Sequence, residues 1–345
     1  MKIFSRQTVF WLLFLLVLSL SGYGAYRLLA AEIFGYTLWN KLIQDPDHRW
    51  KAHERPDINS DGLRSYEEAD AFHPEDFNII FAGDSFTFGH LLSAEQSMPS
   101  RFQELVDASS ARPRIHVVNF GWSSSSPYLS LRLLQDKGAK YKPDLVILLL
   151  DATDYKDDFF YRGVIEKRDA FKFIVEHPLL SYYPRHLSGL TDSWTHWHEK
   201  WLGYPSYSNY FLFHQPLEKS RPFFDGTYEI LLAMNEYVTR ELGAKFVVFI
   251  PPRHWQYTDK ESPKSWERHG YVALGPYVLN NFIYFEEKRS AAPFPLVPLL
   301  EDFKASPVFP TTFEKDSHWN PDGARLAAEI IYQHCQQIGC FKKNP

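Results

Sequence analysis

Short apolar runs alternate along the chain with segments whose apolar residues recur every three or four positions. Continuous apolar runs are typical of strands buried on both faces of a sheet, and the three-to-four spacing is typical of amphipathic helices. The runs that predict strands are 77–81, 115–118, 145–150 and 246–250, and the run 145–150 is continuously apolar.

The segments between these runs predict helices. Helical spacing begins at Met98 and again over 230–238, while Ser126-Pro127 and Asn320-Pro321 are each suited to the N-cap and first position of a helix. Alternating strands and helices predict an α/β fold, with a doubly wound, mostly parallel sheet covered by helices on both faces. Ligands of such folds bind at the carboxyl ends of the strands, so the residues just after each strand are the candidates for chemistry.

The composition excludes several classes of protein. The 345 residues are 45% hydrophobic and 23% charged, which excludes a disordered chain, and the net charge of −5 gives no positive field for nucleic acid. Two cysteines are too few for a disulfide framework or a four-cysteine zinc site. Cys335 and Cys340 flank a predicted helix end at Gly339, and we interpret them either as a local disulfide or as two buried free thiols.

Aromatic residues are unusually frequent and unevenly placed. They make up 17% of the chain, and many lie between Tyr155 and Phe224, where the alternation of strands and helices breaks. We interpret 155–224 as an insertion or cap on the core, since the sheet pattern resumes after it. Most of its rings are expected to seal the cap onto the core, and a minority to line a groove in which rings stack on sugars.

The N-terminus carries a targeting signal. Lys2 and Arg6 precede an apolar run over 9–20, which is the pattern of either a cleaved signal peptide or an uncleaved signal anchor within residues 1–30. The absence of a clean A-x-A cleavage pattern favours the anchor, a single N-terminal transmembrane helix. The positive-inside rule then predicts that the domain formed by 31–345 faces the periplasm or the cell exterior.

Four polar motifs stand at the predicted edge of the sheet. Gly83-Asp84-Ser85 follows the first strand, Asn119-Phe120-Gly121 the second and Asp151-Ala152-Thr153-Asp154 the third, while Asp316-Ser317-His318 precedes the last helix. A serine at a strand-to-helix turn displays its hydroxyl, and its backbone N–H lies near a helix N-terminus. A histidine just after an acid can serve such a serine as a base. Each motif is common alone, and the combination carries the chemical inference.

Together these motifs resemble the SGNH (GDSL-type) hydrolase superfamily. The resemblance covers roughly Asn59 to Tyr332 and includes Asn59-Ser60-Asp61-Gly62-Leu63-Arg64, which is similar to an Asn-x-x-Gly-x-Arg segment of bacterial members. The Asp-x-His-Trp-Asn-x-x-Gly form of the last block is similar to that of membrane-anchored and periplasmic members that add or remove acyl groups on envelope polysaccharides. The resemblance implies a flavodoxin-like order of strands.

The resemblance also implies roles for individual residues. Ser85 would be the nucleophile, His318 the general base and Asp316 its orienting acid, with the backbone N–H groups of Ser85 and Gly121 as oxyanion donors. In the family an asparagine after the third strand supplies a third donor. Thr153 stands at that position here, and its hydroxyl has a shorter reach.

Further polar residues are candidates for substrate binding. Asp84 and Asp154 belong to the motifs above, and Arg253-His254 follows the fourth predicted strand, where it would line the substrate cleft or form a surface turn. His73 and His90 have no feature that separates them from surface histidines.

No metal or cofactor is expected. His196 and His198 are candidate metal ligands by residue type. However, the spacing of Trp194, Trp197 and Trp201 favours a helix, and on a helix the two histidines would point to different sides.

The sequence therefore predicts an extracytoplasmic serine-dependent acyl-ester hydrolase or O-acyltransferase that forms an acyl-enzyme. Its expected partners are an acylated carbohydrate of the envelope or an exported polysaccharide, the membrane through the N-terminal helix and, by resemblance alone, a membrane acyl-donor protein. Two alternatives stay open: a lipid esterase or thioesterase, and a non-catalytic accessory protein of polysaccharide assembly, which the missing asparagine favours.

Overall fold

A computed structural model describes residues 6–32, 49–109, 113–170 and 210–342. The chain divides into two units. One unit comprises Met1–Pro46 and Gly163–Ser206, and the other comprises Asp47–Arg162 and Tyr207–Pro345. The second unit contains the sheet and all of the predicted site residues.

The sheet has five parallel strands in the order β2-β1-β3-β4-β5. The strands are β1 Phe77–Ala82, β2 Ile115–Asn119, β3 Leu145–Leu149, β4 Lys245–Ile250 and β5 Leu296–Pro298. This is the order of flavodoxin-like folds, in which the chain leaves the central strand in opposite directions and opens a crevice at the carboxyl ends. In this order the direction of the chain reverses between β1 and β3, and the predicted parallel α/β sheet is confirmed.

Helices connect the strands. In chain order they are α1 Arg6–Glu32, α2 Ser85–Phe88, α3 Met98–Ala108, α4 Pro127–Lys137, α5 Asp154–Ala170, α6 Leu217–Arg240, α7 Asn280–Arg289, α8 Leu300–Ala305 and α9 Pro321–Gln337. Phe77, Ile79 and Phe81 share a core cluster with side chains of α3 and α9, whereas α6 contacts α4 and β4. Because alternate strand residues point to opposite faces and both sets are buried, the sheet is covered on both sides.

The start of α9 follows the sequence prediction closely. The Asn320 side chain caps the helix by accepting hydrogen bonds from the backbone N–H groups of Asp322 and Gly323. At the start of α4, Ser126 is the N-cap residue without a side-chain capping bond. Three elements of the sheet region, β5, α7 and α8, were not predicted.

At the N-terminus, α1 covers most of the predicted signal segment. The large apolar side chains of Phe10–Leu20 are exposed. Over the described ranges, no helix combines the length and hydropathy that crossing a membrane requires.

Only the two ends of the aromatic insertion are described. Tyr155, Tyr210 and Phe224 are buried, with Tyr155 packed edge-on against Phe224 at 4.7 Å and Tyr210 against Trp255 at 5.4 Å between ring centroids. These rings therefore belong to the core. Residues 171–209, with the predicted groove and with His196 and His198, lie outside the described residues.

Cys335 and Cys340 are buried free thiols. Of the two interpretations of this pair, the structure shows the second.

Candidate active site

The turn after β1 places Ser85 at the first position of α2. Gly83 has φ of +150°, and a side chain there would collide with that of Thr87. Asp84 caps the helix, since its Oδ1 accepts a hydrogen bond from the Phe86 N–H at 2.9 Å. A tight glycine turn and an acidic cap thus fix the position of the serine.

Ser85, His318 and Asp316 lie in one hydrogen-bonded line. Ser85 Oγ is 2.7 Å from His318 Nε2, and His318 Nδ1 is 2.5 Å from Asp316 Oδ1. The same carboxylate oxygen accepts the backbone N–H of His318 at 2.9 Å. The short Asp-x-His spacing therefore closes a turn in which one carboxylate orients both the ring and the backbone of the histidine.

The Asp316 carboxylate is held in its charged form. Partial burial raises its pKa, but hydrogen bonds from the ring and the backbone N–H of His318 outweigh burial and keep the pKa well below its usual range. An ionised Asp316 favours the tautomer of His318 with its proton on Nδ1. In that tautomer Nε2 has the lone pair needed to accept the proton of Ser85.

His90 lies beside the line formed by Ser85, His318 and Asp316, and the sequence did not predict this position of His90. Its ring centroid is 4.7 Å from that of His318, and its backbone N–H donates to the Ser85 carbonyl at 2.9 Å. Burial and the neighbouring His318 lower its pKa, while Asp316 opposes the change. Nothing in the sequence separates His90 from a surface histidine, but the end of α2 places its ring against that of His318. In the part of the chain that the structure describes, His90, Asp316 and His318 are the group that could hold a metal ion.

Two of the three expected oxyanion donors are engaged elsewhere. The Gly121 N–H donates to Asn119 Oδ1 at 2.9 Å, and the Thr153 hydroxyl donates to Asp151 Oδ2 at 2.8 Å. Among the described residues, no acceptor bonds the N–H of Ser85, which therefore stays available.

Gly121 has a packing role between the β2 loop and α2. A Cβ there would lie 2.5 Å from the Phe88 nitrogen and 2.7 Å from the Thr87 Cβ. The glycine is thus needed for the close approach of the β2 loop to α2.

The same loop contains a strained serine. Ser124 has φ of +60°, in the left-handed region that disfavours a residue with a Cβ. Ser125 Oγ donates to the Gly83 carbonyl at 2.8 Å and fixes the turn beside the nucleophile loop. Strained backbone of this kind clusters at functional sites. The run of serines does not predict this strain, because serine is not a residue type that favours positive φ.

Arg253 is buried behind the site and does not line a cleft. Its guanidinium donates to both oxygens of Asp151, at 2.7 and 2.8 Å, and to Ser317 Oγ at 3.1 Å. It also lies 4.3 Å from the ring centroid of Phe86. The arginine therefore contacts Phe86, which follows Ser85, and Ser317, which precedes His318.

The other three predicted substrate-binding residues are also buried. Asp154 Oδ2 accepts the Asp151 N–H at 2.7 Å, and His254 Nε2 lies 3.2 Å from the Tyr271 hydroxyl. Asp84 is buried too, with its Oδ2 3.3 Å from Ser85 Oγ. Their predicted placement on a substrate surface is corrected, because the loops after β1, β3 and β4 turn these side chains inward.

Burial shifts the pKa of each of these groups. Burial and the charge of Asp151 raise the pKa of Asp84 to about 7. Burial raises the pKa of Asp154 well above its usual value, with Asp84 adding to the shift. Burial and Arg253 lower the pKa of His254 to about 3. Asp151 differs, since Arg253 outweighs the effect of burial and lowers its pKa. The buried cluster beneath Ser85 thus has one ion pair and two carboxyl groups that resist ionisation.

Arg64 holds the far end of α2. It donates to the carbonyls of Phe88, Gly89 and Leu92, each at 2.7 Å, and to Asp57 Oδ2 at 2.9 Å. The carbonyls of Phe88 and Gly89 lie at the C-terminal end of the short helix, where carbonyls lack partners within the helix. The last residue of the Asn-x-x-Gly-x-Arg segment is therefore a clamp on the end of α2.

No protein-family model and no curated protein matches the sequence. Solved structures do match. A lipase/acylhydrolase from Enterococcus faecalis is 16% identical over 78% of this chain and 99% of its own, with a TM-score of 0.45. A protein described as a lipolytic member of the G-D-S-L family, from Desulfitobacterium hafniense DCB-2, is 13% identical over 75% and 99%, with a TM-score of 0.40. An esterase active on acetylated mannans is 13% identical over 80% of this chain and 53% of its own, with a TM-score of 0.43. The three structures are described as a lipase/acylhydrolase, a lipolytic protein of the G-D-S-L family and an esterase.

Proposed function

We propose that this protein is a serine-dependent acyl-ester hydrolase or O-acyltransferase. The observation that carries the proposal is the continuous line from Ser85 Oγ through the His318 ring to Asp316, with contacts of 2.7 and 2.5 Å. Nucleophile and base are within hydrogen-bond reach, and the base is oriented by a third group, which is the geometry of an activated serine.

The chemistry follows from the positions of the protons. His318 Nε2 takes the proton of Ser85 as Oγ bonds to the ester carbonyl carbon, and Asp316 stabilises the resulting imidazolium. The imidazolium then gives that proton to the leaving alcohol as the C–O bond breaks and an acyl-serine forms. Water or a sugar hydroxyl attacks the acyl-serine, with His318 again as the base.

Backbone N–H groups would stabilise the oxyanion in this scheme. The Ser85 N–H is the first donor, and the strained turn at Ser124 is our candidate for the second, in place of Gly121. Loss of one such donor costs about 10²–10³ in rate, so a site without the asparagine amide is expected to be slow with simple esters.

We propose an acylated carbohydrate as the substrate class and an extracytoplasmic location. The aromatic-rich 155–224 segment supports the first, since rings stack on sugar faces. The basic and apolar pattern of residues 1–30 supports the second. A phosphatase reporter fused after the C-terminus should be active only if that end is outside the cytoplasm, and an inactive reporter on an expressed fusion contradicts the location.

Turnover by the full-length protein tests the enzyme. Release of p-nitrophenol from p-nitrophenyl acetate should depend on Ser85 and disappear in Ser85→Ala. Adding an oligosaccharide acceptor separates the two reactions, because a transferase yields acylated sugar and a hydrolase yields acetate. A folded protein in which turnover is the same in Ser85→Ala contradicts the serine mechanism.

A non-catalytic accessory protein is the second candidate. The observation that favours it is that two expected oxyanion donors, Gly121 and Thr153, are engaged with Asn119 and Asp151. It predicts neither turnover nor acyl-serine formation, together with measurable binding of a polysaccharide.

A further inference from the structure

Three metal-ligating side chains converge at the catalytic histidine. His90, Asp316 and His318 each offer one ligand atom, and these atoms lie within 4.8 Å of one another. All three residues are only partly buried, so a small ion can reach them from solvent. In a tetrahedral zinc site the ligand atoms lie about 2.0–2.2 Å from the metal and therefore about 3.4 Å from one another. Small side-chain rotations would bring the three ligand atoms from within 4.8 Å to that separation.

The position of His90 is set by the backbone of α2. The N–H groups of Gly89 and His90 both donate to the Ser85 carbonyl, at 3.0 and 2.9 Å. The His90 ring packs against the His318 ring with an interplanar angle of 50°. The third ligand is therefore held next to the triad and is not a freely moving surface side chain.

The donor set selects the kind of ion. Two imidazoles and one carboxylate suit zinc and similar borderline transition metals, whereas Mg²⁺ and Ca²⁺ prefer sites made of oxygen ligands. Three protein ligands also leave one position of a tetrahedral ion for water.

We propose that His90, Asp316 and His318 form a binding site for a divalent transition-metal ion of the zinc type, and that the bound ion inhibits the enzyme. The inhibition, unlike the binding, rests on the proposed function. A metal on His318 Nε2 occupies the lone pair that accepts the Ser85 proton. A metal on Nδ1 moves the ring proton to Nε2, which then donates to Ser85 instead of accepting. Either mode removes the general base.

Metal binding is measured first, without reference to activity. Isothermal titration of full-length protein with Zn²⁺ should show one site per chain. His90→Phe keeps a ring against His318 but has no lone pair, and we expect it to weaken binding by at least about 10-fold, the size of effect that damage to a metal site produces. His90→Gln, which retains a polar side chain, serves as a second variant and should weaken binding too. His73→Ala removes an exposed histidine as the matched control and should bind normally. Ser85→Ala should also bind Zn²⁺, because the serine is not a ligand.

Inhibition is measured next, by p-nitrophenyl acetate turnover in Zn²⁺ and after EDTA. Wild type and His73→Ala should lose turnover reversibly, and both His90 variants should need at least about 10-fold more Zn²⁺ for the same loss. The site is refuted if Zn²⁺ does not bind, or if both His90 variants bind it as tightly as wild type. Tight binding at His90 with undiminished turnover refutes the inhibition alone. Tight binding by a protein that does not turn over p-nitrophenyl acetate supports the metal site and refutes the simple hydrolase, which separates the failure of the proposed hydrolase from that of the metal site.

Discussion

The tautomer of His318, the proposed base, depends on Asp316. This carboxylate accepts both the ring N–H and the backbone N–H of His318 through one oxygen. An acceptor at this point keeps the ring proton on Nδ1 and leaves Nε2 free for Ser85. A residue that can also donate a hydrogen bond removes this preference.

Asp316→Asn should therefore lower kcat by about 10³–10⁴-fold with little change in fold, since its amide can donate to Nδ1 and hold the wrong tautomer. Steady-state kinetics with p-nitrophenyl acetate measure the change. Asp322→Asn, at an exposed carboxylate paired with Arg325, is the matched control and should keep its rate. A rate within about 10-fold of wild type in Asp316→Asn contradicts the assigned role.

At Thr153, in contrast to Asp316, we expect a substitution to affect stability and not activity. The Thr153 hydroxyl donates to Asp151, so Thr153→Val should lower the free energy of unfolding by about 1 kcal/mol and leave kcat/KM within about 10-fold. Urea denaturation and kinetics measure the two effects. A loss of about 10²–10³ in kcat would instead show that this hydroxyl is an oxyanion donor.

Motifs in the sequence point to Ser85, His318 and Asp316, the proposed triad, because their residue types and order along the chain carry the signal. No pattern in the sequence predicts the hydrogen bonds that Gly121 and Thr153 donate. The acceptor that each donor reaches is decided by the folded loops. Arg253 pairs with Asp151 across 102 residues, and no local pattern predicts such a partner. His90 is missed for the same reason, because its neighbour His318 is distant in sequence.

At the scale of elements, α2 is held from two sides. Arg64 binds the carbonyls at its end, and the β2 loop packs against it at Gly121. A helix of four residues has few bonds of its own, so the position of Ser85 depends on these outside contacts. Changes at either contact should affect stability and activity together.

Gly121→Ala should thus be destabilising by about 1–3 kcal/mol and should lower kcat, since the new Cβ pushes against the backbone of α2. Gly226→Ala, in α6, is the matched control. No atom lies within 4 Å of the Cβ position there, and helix propensity predicts a gain of up to about 1 kcal/mol. Equal stability and activity of Gly121→Ala and wild type would contradict the packing role.

The elements that sequence predicts are those with strong patterns. The strands β1 to β4 are predominantly apolar runs, and α9 has both a capping asparagine and a proline at its first position. In contrast, β5 has three residues and ends at Pro298, and α7 begins with two asparagines. Tertiary packing, not local pattern, determines these two elements.

At the scale of the whole molecule, buried carboxyl groups link separate helices. Asp158 in α5 accepts the N–H of Tyr128 in α4 at 2.8 Å and the hydroxyl of Thr227 in α6 at 2.7 Å. Burial raises its pKa to about 7, although these hydrogen bonds oppose the shift. The folded protein therefore binds a proton at this site over a pH range in which the unfolded chain has lost it.

Stability should consequently fall as pH rises from about 4 to about 7, because the folded state holds the proton more tightly than the unfolded state. For Asp158 the loss between pH 5 and pH 8 is about 3 kcal/mol. Asp158→Asn mimics the protonated acid and should remove that part of the loss, as measured by urea denaturation at both pH values. An unchanged difference between the two pH values would contradict the buried, protonated state.

The nucleophile itself is tested most directly by covalent labelling. Full-length protein is treated with a fluorophosphonate, digested and analysed by mass spectrometry, beside Ser85→Ala and His318→Ala. The proposed mechanism predicts one phosphonylated residue, Ser85, with no label in Ser85→Ala and much slower labelling in His318→Ala. Labelling that persists in Ser85→Ala, or a folded wild-type protein that takes no label, would contradict the catalytic triad.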